Sequence, residues 1–293
     1  MKIVFIGSVE FSEQALKKLL EIGVDIAGVV TKENSSFNSD FVDLSKIASE
    51  SNIPYLYTKD INSIESRDWI KEKQPDIIFC FGWSQLLKKD ILRIPQKGVV
   101  GYHPSNIPEN RGRHPLIWAI VLGLKETAST FFLMDEGADT GDIISQRSFK
   151  IHYEDYAEDV YKKMTETALA QIEEFVPKIK LNTIKKIPQD LNAGNSWRKR
   201  GKKDGEIDFR MSTDNIYNLV RALSKPYIGA HITHQDKDIK VWKTSPAKFK
   251  AKNIEPGKVL NTDGYKIKVK TGDSAIWLIE HEFEKIPQVN SYL

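Results

Sequence analysis

Two short stretches carry the side chains best suited to chemistry. The denser is Gly101-Tyr-His-Pro-Ser-Asn-Ile-Pro-Glu-Asn-Arg-Gly-Arg-His-Pro115, which gathers three prolines, two histidines and two arginines. Loops this rich in rigid turns and polar side chains hold a site more often than they merely connect. The second is Met134-Asp-Glu-Gly-Ala-Asp-Thr-Gly-Asp142, a bend with four acids and two glycines. Together they offer a histidine, a carboxylate and pliable backbone, a set sufficient for proton transfer at an acyl centre. Structural turns collect the same residue types, so spacing alone leaves both readings open. Other chemistries lack their signatures. Gly7-Ser8-Val9-Glu10 misses the glycine spacing that cradles a pyrophosphate, and no Gly-rich loop ends in Lys-Ser or Lys-Thr. The six histidines are scattered without zinc-site spacing, so no metal is expected.

The elements that must position these stretches alternate between strand and helix. Lys2–Gly7, Val24–Val30, Asp76–Phe81 and Gly98–Tyr102 read as buried strands. Ser12–Ile22, Asp43–Ser51, a helix ending at Trp69–Lys73 and Leu116–Leu122 read as helices. Strands separated by helices imply a mostly parallel sheet covered on both faces. Ligands of such sheets sit beyond the carboxyl ends of the strands, so chemistry is expected just after Phe81 and Tyr102. After Asp139 follow a strand, Ile143–Ile151, and a helix, Tyr156–Ile179. Gln189–Asp204, with Asn-Ala-Gly-Asn-Ser and then Arg-Lys-Arg-Gly-Lys-Lys, reads as a linker. Thr213–Leu223 is an amphipathic helix. Short strands come next, with turn signals at Gln235–Lys237, Pro256–Gly257, Asp263–Gly264 and Gly272–Asp273, a pattern that suits a small β-barrel. The expected domains are 1–188, a linker at 189–203, and 204–293.

With 293 residues, 40% hydrophobic and 28% charged, the chain has room for two globular domains. No apolar run approaches the ~20 residues of a membrane-spanning helix, and the start lacks a secretory pattern. A cytoplasmic protein with no membrane partner is expected. One cysteine, Cys80, excludes an internal disulfide. The net charge of +3 is unevenly placed, with 21 basic against 13 acidic groups in residues 181–293. That excess suits either a phosphate-bearing partner or a solvated lysine-rich surface.

The two chemistry-bearing stretches resemble motifs of the folate-dependent formyltransferases, the superfamily of methionyl-tRNA formyltransferase and the sugar N-formyltransferases. His103-Pro-Ser-Asn-Ile-Pro-Glu-Asn-Arg-Gly-Arg is similar to that family's His-x-Ser-Leu-Leu-Pro-x-x-Arg-Gly loop, and Met134–Asp142 to its acidic folate loop. The interval of 36 residues from His103 to Asp139 is similar too. Asp204-Gly-Glu-Ile-Asp208 and Arg221-Ala-Leu-Ser-Lys-Pro-Tyr-Ile-Gly-Ala230 resemble the start of the family's C-terminal domain. The resemblance implies a Rossmann-like α/β domain followed by a small OB-like β-barrel. It also implies 10-formyltetrahydrofolate as co-substrate, with His103 moving the proton and Asp139 orienting the imidazole. Trp83, Leu86 and Leu87 would line the pterin, with Gly137, Ala138 and Asp142 at its edge. Arg111 and Arg113 would bind an anionic group or pair with Glu109.

One departure stands out. The family's catalytic Asn lies two residues before the His, where this chain has Gly101. Losing one donor to a developing oxyanion commonly costs about 3–4 kcal/mol. Asn106 or Asn110 could supply the missing carboxamide. Asn106 is preferred, because it stands where the family has an apolar Leu.

Three acceptor readings compete. The first is a dTDP- or UDP-linked 4-amino-4,6-dideoxy sugar used for surface polysaccharide. The second is methionyl-tRNA, and the third is a non-catalytic folate- or nucleotide-binding relative. Thr31–Asp40 holds one lysine and two acids, where the tRNA enzymes carry a basic insertion, so the sugar is preferred and nucleic acid is not expected. The C-terminal domain could form a homodimer or hold a second ligand.

Overall fold

A computed structural model describes residues 1–35 and 39–293, in two compact units. The first comprises Met1–Pro115, Thr127–Phe149 and Lys162–Trp197. It is built on a seven-stranded sheet of β1 (Lys2–Ile6), β2 (Asp25–Thr31), β3 (Tyr55–Tyr57), β4 (Ile77–Cys80), β5 (Val99–His103), β7 (Glu126–Leu133) and β8 (Ile143–Lys150). Two-residue β6 (Arg111–Gly112) lies apart from it. The spatial order is β3-β2-β1-β4-β5-β7-β8. All pairs from β3 to β5 are parallel, and β7 runs antiparallel to β5. Ile6, Cys80, Gly101 and Phe132 form one row across the sheet. The strand ends beyond that row therefore open at one level.

The central strands are apolar on both faces because both are covered. One face carries an aromatic cluster in which Phe81 meets Phe5 at 5.6 Å and Phe131 at 5.2 Å, while Phe131 meets Phe175 at 4.8 Å. The other carries Val4, Ile6, Val30, Ile78, Cys80 and Val99 with Ile61, Ile70 and Leu87. Strand alternation puts Tyr102 on the aromatic face and Gly101 and His103 on the aliphatic one. Helix α1 (Glu10–Glu21) buries Phe11, Ala15, Leu16 and Leu19, the helical spacing of its apolar stripe. Its first turn is tied to the sheet by Ser12, whose Oγ donates to Phe81 O at 2.6 Å and accepts the Ser8 and Val9 N–H groups at 3.2 Å. Helices α2 (Ser45–Glu50), α3 (Ile64–Glu72) and α4 (Lys89–Leu92) fill the connections between β2 and β5. Helix α5 (Pro115–Val121) and the long α6 (Ala157–Lys180) follow.

The second unit comprises Leu116–Glu126, Lys150–Tyr161 and Arg198–Leu293. Helix α7 (Thr213–Leu223) is capped by Ser212, which accepts the Asn215 N–H, and buries Ile216, Leu219, Val220 and Leu223. Strands β10 (Ala230–His234), β11 (Lys237–Ala247), β12 (Val259–Asp263), β13 (Lys266–Lys270) and β14 (Ala275–His281) form an antiparallel sheet in the order β10-β11-β14-β13-β12. The turn signals fall where expected. Gln235 and Asp236 have φ of +50° and +60° between β10 and β11, and Gly264 has +58° between β12 and β13. The buried Arg221 is satisfied by Asp155 O at 2.8 Å, His152 O at 3.3 Å and Asn218 Oδ1 at 2.9 Å.

Beyond the short β3 and α4, which the sequence reading did not assign, two stretches differ from it. Glu126–Leu133 is a strand where none was expected, since its first half is Glu-Thr-Ala-Ser-Thr rather than an apolar run. The stretch read as a linker also divides. Residues up to Trp197 belong to the first unit, and Ser196–Trp197 form β9, parallel to β6.

Candidate active site

His103 ends β5 and is buried at 6% exposure. Its ring nitrogens meet two acceptors. Nδ1 lies 3.5 Å from Asp139 Oδ2, and Nε2 lies 3.1 Å from the Asn110 carbonyl. A neutral imidazole can donate to only one of them, and a charged ring can donate to both.

Both flanking residues are unusual in backbone. Asn110 has φ of +65° and Asp139 of +60°, the left-handed region that a residue other than glycine enters at a cost. Each is held from outside. Asp139 Oδ2 also accepts the Gly112 N–H at 3.2 Å, and its carbonyl accepts Gln189 Nε2 at 3.0 Å. The Asn110 N–H donates to Asn195 Oδ1 at 2.8 Å, and Ser105 Oγ donates to the Asn110 carbonyl at 2.8 Å. Below these, Thr130 donates to Ser105 O at 2.7 Å and Gln146 to Ile107 O at 2.8 Å. Buried Ile107, Phe132 and Ile143 form the apolar floor of the loop. The acidic bend is closed by Leu133 N–H to Asp142 O at 2.8 Å. Within it, Asp135 Oδ1 accepts Gly137 N–H at 2.9 Å and Thr140 Oγ at 2.6 Å. A Cβ on Gly141 would lie 1.6 Å from Leu133 O, so only glycine closes this bend.

Of the residues singled out from sequence, His103, Asp139 and Asn110 are brought together. Asn106 is exposed, and its carboxamide makes no hydrogen bond among the described residues. The place beside Gly101 is occupied by apolar side chains, for a Cβ there would lie 2.8 Å from Met134 Cγ and 2.9 Å from Phe132 Cζ. Trp83 is half-buried, with Nε1 shielded from solvent and lacking a partner. Leu86 is exposed, whereas Leu87 is buried in the aliphatic core. Gly137 and Ala138 are exposed. Asp142 is half-buried, and its carboxylate is without a partner among the described residues. Arg111 donates to Gln189 Oε1 at 2.9 Å and reaches the Asp190 and Ala193 carbonyls, both at 3.4 Å. Arg113 Nη1 reaches Ser84 O at 3.4 Å. Neither arginine pairs with Glu109.

The sequence reading passed over three participants. Gln189 and Asn195 lay inside a stretch whose Gly, Asn and Ser content signals only flexibility. Lys32 follows β2, and its Nζ stands 4.8 Å over the Trp83 ring and 3.5 Å from Ser84 Oγ. Partial burial pulls its ammonium below the ordinary lysine value. Of the stretch Thr31–Asp40, residues 36–38 lie outside the described residues.

The chain matches a protein family described as formyl transferase over residues 1–175, and the family of the formyl transferase C-terminal domain over residues 199–292. It is 35% identical over 263 residues to the bifunctional polymyxin resistance protein ArnA of Wigglesworthia glossinidia brevipalpis. That match covers 89% of this chain but only 40% of the relative. It is 31% identical over 289 residues to the methionyl-tRNA formyltransferase of Caldanaerobacter subterraneus subsp. tengcongensis, covering 97% of this chain and 93% of the relative. Its fold is like that of the N-formyltransferase of Helicobacter canadensis, solved with folinic acid and dTDP-3-aminofucose. There the TM-score is 0.72 at 18% identity, over 95% of this chain and 98% of the other.

Proposed function

The chain belongs to the formyl transferase family and is a folate-dependent N-formyltransferase using 10-formyltetrahydrofolate, and on that premise we propose that its acceptor is the amine of a nucleotide-linked amino sugar. The observation that carries this acceptor is where the unpaired cations lie. Lys32 and Arg113 both reach Ser84, just past the end of β4, and neither has an acidic partner among the described residues. Two uncompensated cations at one strand end suit the diphosphate of a sugar nucleotide. The basic run at 198–203, part of the C-terminal charge excess that suits a phosphate-bearing partner, is largely occupied within its own unit. Arg198 pairs with Asp204 through Nη1 to Oδ2 at 2.9 Å. Arg200 is buried over the Trp118 ring at 4.5 Å and donates to Asp204 O. Lys202 pairs with Asp238 at 2.6 Å.

In this reading His103 accepts a proton as the amine nitrogen bonds to the formyl carbon, and returns it to the folate nitrogen as that C–N bond breaks. Asp139 holds the ring and stabilises its charged form. The carboxamide of Asn110, free of partners and attached to the backbone that touches His103, donates to the formyl oxygen as charge develops there. Asn106 is the second candidate for that task. Trp83 Nε1 and the Asp142 carboxylate, both unpartnered, supply a donor and an acceptor to a pterin edge, with Leu86 and the Gly137–Ala138 backbone beside them. Leu87 supports this wall from the core rather than lining it. A dTDP- or UDP-linked 4-amino-4,6-dideoxy sugar destined for surface polysaccharide is the preferred acceptor. The same reading makes the protein cytoplasmic, its five-stranded C-terminal sheet OB-like, and its assembly a homodimer. Among the described residues no helix is long and apolar enough to cross a membrane.

The second reading, transfer to methionyl-tRNA, is favoured by 31% identity along 97% of the chain. One experiment separates the two. Purified protein with 10-formyltetrahydrofolate is offered dTDP- and UDP-linked 3- and 4-amino sugars, or aminoacylated initiator tRNA, and the products are weighed by mass spectrometry. A formylated sugar nucleotide is expected, together with no retention of tRNA at low salt. Formylated methionyl-tRNA with unreacted sugars would replace this reading with the other.

A further inference from the structure

The imidazole of His103 is bracketed by two residues in left-handed backbone, and each is gripped by a carboxamide from the same nine-residue segment. On the Nδ1 side stands Asp139, whose carbonyl accepts Gln189 Nε2 at 3.0 Å. On the Nε2 side stands Asn110, whose N–H donates to Asn195 Oδ1 at 2.8 Å. We propose that residues 189–197 act as a clasp, with Gln189 and Asn195 as positioning residues that fix the two loops on either side of the reacting histidine. The proposal rests on the assignment of His103 and Asp139 above.

Three features make the clasp more than incidental packing. First, it takes hold of both loops and joins them. Gln189 Nε2 bonds the Gly141 carbonyl at 2.6 Å as well as that of Asp139, while its Oε1 accepts Arg111 at 2.9 Å from the other loop. A single amide thus uses its donor end on the acidic bend and its acceptor end on the histidine loop. Second, backbone pairing sets the register. Arg111 N–H donates to Asn195 O at 3.1 Å and Arg113 N–H to Trp197 O at 3.0 Å, where β6 and β9 run side by side. A Cβ on Gly112 would lie 2.3 Å from Trp197 O, so the approach requires glycine there. Third, the geometry at stake is sensitive. The Nδ1-to-Oδ2 separation of 3.5 Å is already long for a hydrogen bond, so small slippage of Asp139 uncouples the pair. Misplacement of about 1 Å commonly costs a hundredfold in rate.

The two amides work in opposite senses, and that makes the test sharp. Gln189 acts toward the acidic bend as a donor, so Gln189→Glu keeps an acceptor for Arg111 but turns an oxygen toward two carbonyls. Asn195 acts as an acceptor, so Asn195→Asp keeps the bond to the Asn110 N–H. The expected result for Gln189→Glu is a kcat at least tenfold lower, with KM for the sugar nucleotide within threefold and an unchanged Tm. Asn195→Asp should keep kcat within threefold, whereas Asn195→Leu should lose about tenfold. Normal turnover by Gln189→Glu would overturn the clasp, as would a loss that follows Tm or appears only in KM. Equal effects of Asn195→Asp and Asn195→Leu would overturn it as well. His103→Ala, run alongside, separates the two levels. If that variant is active, the assignment of the histidine has failed. If it is dead while Gln189→Glu is normal, only the clasp has failed.

Discussion

The loops around His103 and the run from Arg198 to Asp204 look alike in sequence, since both are polar, turn-rich and dense in cations. They are built on opposite rules. Around the histidine, polar side chains bond to backbone: Ser105 and His103 to the Asn110 carbonyl, Thr130 to Ser105, Gln146 to Ile107, and Gln189 to Asp139 and Gly141. That arrangement fixes the chain while leaving the Asn110 carboxamide, the Asp142 carboxylate and the Lys32 and Arg113 cations without partners of opposite charge. In the C-terminal run, charge meets charge. Arg198 is matched by Asp204 and Lys202 by Asp238, and Arg200 is covered by an indole. A ligand finds open valence in the first region and little in the second. Density of charge in a sequence is therefore a poor guide to a site, because what counts is whether the fold has already answered it.

That difference predicts where function is lost. The largest effect is expected at His103, where alanine should lower formyl transfer about a thousandfold, within the usual range for a general acid–base group. Folate binding, followed by quenching of tryptophan fluorescence, should be retained. Retained turnover within about tenfold would break the comparison at its centre. Next come Lys32→Met and Arg113→Met. Each should raise KM for the sugar nucleotide about tenfold, the scale of one charge-assisted bond, and leave KM for the folate unchanged. A rise in the folate KM instead would move these cations to the other substrate. Arg198→Met, the matched control, should leave both constants as they are.

A smaller effect is expected at Gly101. Its missing side chain leaves room that Met134 and Phe132 occupy, so Gly101→Ala should destabilise by about 1–2 kcal/mol through overpacking. Adding Met134→Ala should return part of that loss in urea unfolding, since the nearest contact is the flexible methionine. Simple additivity of the two changes would show that the crowding lies elsewhere.

The parts of this architecture legible in the sequence are those governed by periodicity and by turn chemistry. Buried runs such as Ile77–Cys80 gave the parallel core, and Asp236 or Gly264 marked hairpins because few other residue types sit easily at positive φ. His103 and Asp139 stood out through the family motifs that hold them, since plain turns collect the same residue types. Glu126–Leu133 escaped because an antiparallel neighbour at the sheet's far side tolerates Thr, Ser and Ala, which carry no apolar signal. Gln189 and Asn195 escaped for a different reason. A carboxamide that bonds backbone carbonyls and amides across 50 and 85 positions of chain leaves no local pattern at all. Leu87 shows the limit of an apolar signal, since a leucine reads the same in sequence whether it faces a ligand or packs in the core, where it is buried here.

The smallest effect concerns Asp204, and it tests whether the C-terminal run is answered by its own charges. Hydrogen bonds from Arg198 hold the Asp204 carboxyl far below the usual carboxylate range, with the Gly201 N–H at 2.7 Å adding to the effect. A carboxyl depressed in the folded state contributes stability above its unfolded value of about 3.9, and that contribution fades as acid protonates the group. Arg198 is two-thirds exposed, so solvent screens the pair and Asp204→Asn should cost only about 1 kcal/mol near neutrality. The difference between the two proteins should hold steady from pH 8 to about 5 and then shrink below about 4, because there the unfolded wild type takes up a proton while its folded carboxylate stays ionised. A difference that persists undiminished at pH 3 would assign the cost to packing around Trp118 and Arg200. In that case the run would owe its order to the indole rather than to paired charge, and the contrast with the histidine loops would have to be redrawn on burial.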